Sequence, residues 1–302
     1  MQNFCGSGGA LEVESSNNVG SISVTLLGTG TPIPDRDRHG PSQVIEIAHD
    51  IVLVDCGPGS LHRLLEAESN VTAISHVLLT HLHSDHVSGL ADLLWAGWVG
   101  GWWNTPPVLI GPPGTEEFIN RLLYAFEEDI RLRTEEGSVT IAGLRPTIHE
   151  IEDGWTITHH KWSVRGFRVD HYPVKHAFGY RFEYGKNVVV ISGDTCVCEN
   201  LQIYAQDADI LVCEVAWEEG MKRAIETSRG PKRARWERIL RYHMSSLEVG
   251  KVAANARVKH LVLSHLMLMN GTPADLLSDV RPSFDGKLTV GEDLAKFSTK
   301  VQ

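Results

Sequence analysis

The order of apolar runs in this chain predicts an α/β sandwich, with two sheets packed face to face and helices outside. Three observations lead there: hairpin-like strand pairs come early, strands and helices alternate later, and no Pro/Gly-rich linker of any length separates them. With 302 residues and 42% hydrophobic side chains, the chain can bury a sizeable core. The expected organisation is a flexible tail over residues 1–20 and a single domain over residues 21–302.

Residues 1–20 are rich in Gly, Ser and Asn without a period. From Ile22, ISVTLLG is a strand that ends in the glycine turn GTGTPIP, and SQVIEIAHD and IVLVDCG pair around a turn at His49 and Asp50. Leu61 to Glu68 has the pattern of a short helix, and HVLLTH is a strand running into a histidine cluster. Residues 87–103 carry four tryptophans and predict an apolar helix, or a helix and turn. VLIGPPG is a strand and turn; a helix from about Thr115 to Ile130 follows, with Phe118, Leu122, Leu123 and Phe126 at its apolar positions. Strands and turns alternate from 138 to 192, among them SVTIAG, WTITHHKWSVRGFRVDH, GYRFEY and NVVVISGD. Then come the strand DILVCEV, a helical stretch from Ala234 to Asn255 and the strand HLVLSH. Beyond a turn at Asp285 and Gly286, a short strand and a terminal helix complete the expectation.

The formal charge of -10 argues against a general affinity for nucleic acid, because phosphate binding rests on Lys and Arg that displace counterions. One window departs from it. Residues 222–241 hold eight cations, Lys222, Arg223, Arg229, Lys232, Arg233, Arg235, Arg238 and Arg241, against Glu226 and Glu237, so the window is +6 and the remainder -16. The five cysteines form no CxxC pair, and Cys196 and Cys198 lack the companions a thiolate metal site needs. No apolar run approaches the ~20 residues that cross a bilayer, and MQNFCGSGG has neither the basic n-region nor the apolar h-region expected of a leader. The cytoplasm is the expected compartment, with secretion open if a leader has been removed.

The chemistry concentrates in HLHSDH, which places three imidazoles and a carboxylate within six residues at the end of an apolar strand. Nitrogen and oxygen donors of this kind suit Zn(II). His81 and His83, two apart, project to one side of an extended segment, and Asp85 and His86 can face a second centre. His171, Asp194 and His265 each follow a strand-like run, where a side chain leaves the core while the sheet fixes its position. The GTG turn of Gly28 and Gly30 lacks the third glycine and long helix of a dinucleotide site.

Five stretches in order, LLGTGTPIP, VDCGPG, LLTHLHSDHVSGL, HYPVKHAFGYRFE with ISGDT, and YHMSSLEVG with LVLSHLM, make the chain from Ile22 onward similar to the metallo-β-lactamase superfamily. Within it, the chain resembles the branch of tRNA 3'-processing endonucleases and arylsulfatase-like hydrolases. The resemblance implies a four-layer αββα sandwich and a dinuclear zinc site, with Mn or Fe also compatible. It assigns His81, His83 and His171 to one metal, Asp85, His86 and His265 to the other, Asp194 to both, and a bridging hydroxide to the attack. With Asp85, it makes His243 and Glu214 the catalytic candidates: His243 matches a His-x-Ser/Thr motif and Glu214 an acidic residue that orients it. Here that second motif reads CEV, with Cys213 in place of a histidine. Asp55 would support the ligand loop.

Two features bear on the substrate. Arg233 and Arg235 lie in the basic window before His243, where an anion would be attracted. Trp95, Trp98 and Trp102 share a helical face and fit a wall for a flat substrate, a dimer contact or core packing. The resemblance also favours a homodimer. Family members that cleave tRNA carry a protruding arm, usually Gly/Pro-rich and basic, whereas FEEDIRLRTEEG and HEIEDGWTITHH here are acidic or neutral. The expectation is therefore hydrolysis of a small anionic or aromatic ester (aryl sulfate, phosphodiester, lactone or β-lactam), with tRNA 3' processing as the alternative.

Overall fold

The computed structural model describes residues 20–159 and 161–301; all of the expected tail except Gly20 lies outside them. Two seven-stranded sheets form the centre. The first takes β1 (Ile22–Gly28), β2 (Ser42–Ile47), β3 (Asp50–Val54), β4 (Ile74–Leu78), β5 (Val108–Gly111) and β6 (Ile148–Glu150). The second takes β7 (Thr156–His159), β8 (Trp162–His171), β9 (Val174–Tyr184), β10 (Asn187–Ile191), β11 (Ile210–Ala216), β12 (His260–Met267) and β13 (Lys287–Val290). Each sheet runs in chain order, and the last strand, β14 (Lys296–Ser298), returns to pair with β1, antiparallel.

Alternation along the strands sorts side chains to two faces. Ile22, Val24 and Leu26 of β1 and Phe178, Tyr180 and Phe182 of β9 point into one shared layer between the sheets, with Val52, Trp162, Val189 and Val212. On the outer face of the first sheet lie α1 (Ser60–Glu66), α2 (Ser84–Val87), α3 (Leu90–Val99), α4 (Thr115–Ala125) and α5 (Glu127–Glu135); Leu64, Leu90, Leu93 and Ile119 pack there on Val44, Leu53 and Leu109. The second sheet is covered by α6 (Glu199–Tyr204), α9 (Ser246–Asn255) and α10 (Pro273–Val280), through Leu201, Val249, Val252 and Leu276. Between α6 and α9 come α7 (Glu218–Thr227) and α8 (Gly230–Tyr242). This is the four-layer αββα sandwich. Phe178 is fully buried in the inner layer. Phe178→Ala is expected to cost about 3–5 kcal/mol of stability, read as a lower denaturant midpoint at unchanged slope.

Several expectations are corrected. The terminal helix is the strand β14, because Ser298 pairs with Ser23 from the far end of the chain. SVTIAG contains a 3-10 turn over Ile141–Gly143 rather than a strand. The helix expected from Thr115 breaks at Phe126, and the stretch from Ala234 to Asn255 is two helices, α8 and α9. The second break carries a local signal, since Ser245 and Glu248 form a capping box. Helices α6, α7 and α10 were not expected, although Thr272 and Asp275 cap α10 in the same way. No helix of the described residues is long and apolar enough to cross a membrane.

Candidate metal centre

The run after β4 is held by buried glycines and a buried carboxylate. A Cβ on Gly57 would collide with the Asp85 carbonyl oxygen, so the chain can approach there only without a side chain. Gly193, at φ +62°, turns the chain immediately before Asp194, and a Cβ there would meet the Phe178 carbonyl. Asp55 and His265 both adopt positive φ, 57° and 44°.

Asp55 fixes the ring orientations. Its Oδ1 accepts from the Thr80 amide at 2.8 Å, and its Oδ2 from the Thr80 hydroxyl and from His86 Nδ1, each at 2.8 Å. The Thr80 oxygen then accepts from His81 Nδ1 at 3.0 Å, and the Tyr242 carbonyl accepts from His171 Nδ1 at 3.2 Å. In all three imidazoles the proton is drawn outward to Nδ1, leaving the Nε2 lone pair facing inward. Asp55→Ala is expected to weaken metal binding by roughly 10–100-fold, measured by competition with a coloured chelator.

The inward atoms converge. His81, His83, His171 and Asp194 offer donor atoms within 4.8 Å of one another, as do Asp85, His86 and His265. Asp194 lies between the two groups: Oδ1 is 3.4 Å from His86 Nε2, and Oδ2 is 3.5 Å from His265 Nε2 and 3.8 Å from both His81 Nε2 and His171 Nε2. Two observations show that these residues fit cations. The buried Nε2 atoms of His81 and His86 have no hydrogen-bond partner, an arrangement that is costly unless something else occupies their lone pairs. His83 Nδ1 and His171 Nε2 also face each other at 3.3 Å.

Burial and the neighbouring His86 imidazole hold His81 well below the usual histidine range. Burial, against the pull of Asp194, takes His171 down to about 4. Both are therefore neutral, as ligands must be. Burial also opposes ionisation of Asp194, but His265 and His86 hold it well below the usual carboxylate range.

Beside the cluster, Glu214 accepts from His243 Nδ1 at 2.9 Å through either carboxylate oxygen, and its Oε1 also takes the Thr195 amide at 2.6 Å. Burial disfavours charge on His243, yet Glu214 and Asp194 raise it to about 9. His243 Nδ1 is 4.0 Å from Asp194 Oδ2, so this pair borders the ligands. The departing residue, Cys213, packs into the apolar layer under α9.

A cleft of about 720 Å³ opens over the cluster, lined by His83, Asp85, Asp194, His243 and His265 and walled by Thr31–Asp35, Arg38, Arg235, Trp236 and Ile239. Arg235 lies where the sequence places it. Arg233 does not reach the cleft: it is exposed and paired with Glu237 at 2.8 Å, one helical turn on. Trp95 and Trp98 are likewise absent from the wall. Trp98 is 2% exposed and donates to the Thr140 carbonyl at 2.8 Å, while Trp95 donates to Asp129 at 3.1 Å, so these rings pin α3 to α5 and the 3-10 turn. The aromatic ring at the cleft is Trp236, missed in the sequence although it stands beside Arg235 and seven residues before His243. Asp293 was missed too. It is 3% exposed as a side chain and anchors the cleft lip, accepting from the Thr29 amide and hydroxyl and from the His39 amide at 2.8–2.9 Å.

Comparison with known proteins agrees with this geometry. The model of the Beta-lactamase superfamily domain matches residues 51–266. A protein named Ribonuclease Z from Mycobacterium marinum is 36% identical over 277 residues, 90% of this chain and 97% of its own length. The metallo-β-lactamase fold protein YhfI from Bacillus subtilis superposes with a TM-score of 0.72 at 19% identity, covering 92% of this chain and all of its own. Human tRNase Z, short form, gives 0.66 at 22% identity over 93% and 99%. The chain belongs to the metallo-β-lactamase superfamily, in its ribonuclease Z-like branch, and is a metal-dependent hydrolase.

Proposed function

We propose that this ribonuclease Z-like chain is an endoribonuclease that cuts an RNA phosphodiester at the 3' side of tRNA precursors. The observation that carries the reading is the end-to-end likeness to Ribonuclease Z, 36% identity over 90% of the chain. The site supports it. The cleft sets a guanidinium and a flat ring, Arg235 and Trp236, beside the ligand cluster, with the Arg235 Cζ 5.6 Å from the indole centroid. That pairing suits a nucleotide, whose phosphate and base need a cation and a stacking face. The small-ester reading rested on the acidic or neutral stretches FEEDIRLRTEEG and HEIEDGWTITHH in place of a basic arm, and on Trp95 and Trp98, which the fold uses elsewhere. The negative net charge does not decide against RNA either, because the substrate would meet the cleft's Arg38 and Arg235 and not the average surface.

His81, His83, His171 and Asp194 would hold one cation, and Asp85, His86 and His265, with Asp194 shared, the second; zinc is the metal this donor set favours. Two such cations supply Lewis acidity toward the phosphoryl group and make water available as a nucleophile near neutral pH. The chain's own residues do the rest. Asp194 balances charge between the two halves, Asp55 and Thr80 hold the rings in register, and Arg235 and Arg38 draw the phosphate backbone into the cleft. His243, kept charged by Glu214, holds a proton on Nε2 for the departing ribose oxygen.

The test is turnover of the metal-loaded protein on a tRNA precursor beside an aryl sulfate, a homoserine lactone and a β-lactam. Site-specific RNA cleavage at low enzyme concentration is expected. Turnover of one small ester with RNA left intact would refute the reading.

A further inference from the structure

We propose that a second groove, on the other side of α8 from the cleft, docks one strand of the RNA flanking the scissile bond. This inference rests on the RNA reading above. The groove, about 490 Å³, is lined by Tyr172, Ala234, Glu237, Arg238, Arg241 and Tyr242. At about 100° per residue, these α8 positions and the cleft-facing Arg235, Trp236 and Ile239 centre on opposite sides of the helix. One basic helix thus serves two recesses.

The chemistry of the groove is that of a strand-binding surface. Tyr172 is 69% exposed, a large ring left in water, and its centroid lies 5.5 Å from that of Tyr242 at a tilt of 58°. Aromatic faces of this kind stack bases without regard to sequence. Arg238 makes no hydrogen bond or ion pair among the described residues, and Arg241 makes only a 3.3 Å bond to the Glu237 carbonyl. Both guanidiniums are therefore free for phosphates. The one carboxylate in the groove, Glu237, is already taken by Arg233. A cationic, aromatic groove on a chain of net charge -10 complements a polyanion carrying flat bases.

Its position fixes which part of the substrate it meets. Tyr172 directly follows the candidate ligand His171, and Tyr242 directly precedes His243. The bond from His171 Nδ1 to the Tyr242 carbonyl, 3.2 Å, joins the groove to the ligand cluster. A strand leaving the cleft over the C-terminal end of α8 enters the groove within a few nucleotides.

The experiment compares the metal-loaded wild type with the double variant Arg238→Ala, Arg241→Ala and with Tyr172→Ala, on a tRNA precursor over a salt series. Metal content and thermal unfolding are read on each sample. Loss of two phosphate contacts to a single strand is expected to raise KM about tenfold and to flatten the log-log salt slope by roughly 1.4 units. Tyr172→Ala is expected to raise KM roughly five- to tenfold with the slope unchanged, because stacking carries no counterions. If the wild type cleaves RNA and neither variant changes KM, the groove is not a docking site, although the proposed function stands. Parallel loss on a small phosphodiester that fits inside the cleft would also overturn the inference, by showing damage to the centre instead. A wild type that neither cleaves nor binds RNA removes the reading and the inference together.

Discussion

Asp194→Asn is expected to lower bound metal from about two ions to fewer than one per chain, and RNA cleavage at least ~10³-fold, about 4 kcal/mol in the barrier. The amide keeps the volume and shape of the carboxylate, so the fold has no steric reason to change. What it removes is charge at the position where the two ligand groups meet. Oδ1 sits 3.4 Å from His86 Nε2, and Oδ2 within 3.8 Å of the Nε2 atoms of His81, His171 and His265. Imidazoles coordinate a metal in their neutral form, so Asp85 and Asp194 supply the only anionic groups among the candidate ligands. Losing one halves the negative charge set against two dications. Because a ligand that binds only the folded state stabilises it by mass action, a chelator should lower the unfolding temperature of the wild type and barely move that of Asp194→Asn. A variant that keeps two ions per chain would show that Asp194 is not a shared ligand, whatever its activity.

The candidate ligand cluster was legible in the sequence, and the walls of the cleft were legible only at Arg235, for a physical reason. His81, His83, Asp85 and His86 lie in one local run; His171 and Asp194 stand at or just beyond the end of a strand, and His265 two residues before the end of β12, each after an apolar pattern that is readable without neighbours. Which way a helix faces is different. Trp95 and Trp98 and the distant Trp236 all sit on helices, but α3 is covered by α5 and the 3-10 turn, whereas α8 has no buried residue at all. Composition separates the two, since LADLLWAGWV is apolar and GPKRARWERILRY charged, but neither period says what covers each face. The strand β14 failed for the same reason: its partner, β1, lies at the other end of the chain. The layers between the sheets, by contrast, followed directly from alternation, as in Ile22, Val24 and Leu26.

His243→Ala is expected to slow RNA cleavage by roughly 10²–10⁴-fold while leaving two ions per chain, because the proposed role of this imidazole is to hand over a proton; its donor atom also lies within 4.8 Å of those of Asp194 and His265, so a fall in metal content would make it a ligand instead. The distinction can be read from the leaving group. A ribose oxygen departs poorly without a proton, whereas p-nitrophenolate departs readily, so an aryl phosphodiester should lose far less activity than RNA in the same variant. Equal losses on both substrates would eliminate the proton-donor role. Glu214→Gln tests the source of that proton. The carboxylate raises His243 against the effect of burial, to about 9. A general acid works while protonated and fails as pH rises through its own pKa, so removing the charge of Glu214 should move the alkaline limb of the rate profile to lower pH. Since Glu214 acts through His243, the double variant should be no slower than His243→Ala alone. Additive losses would mean that Glu214, which also accepts the Thr195 amide next to Asp194, contributes separately by holding the strand end that carries the shared carboxylate.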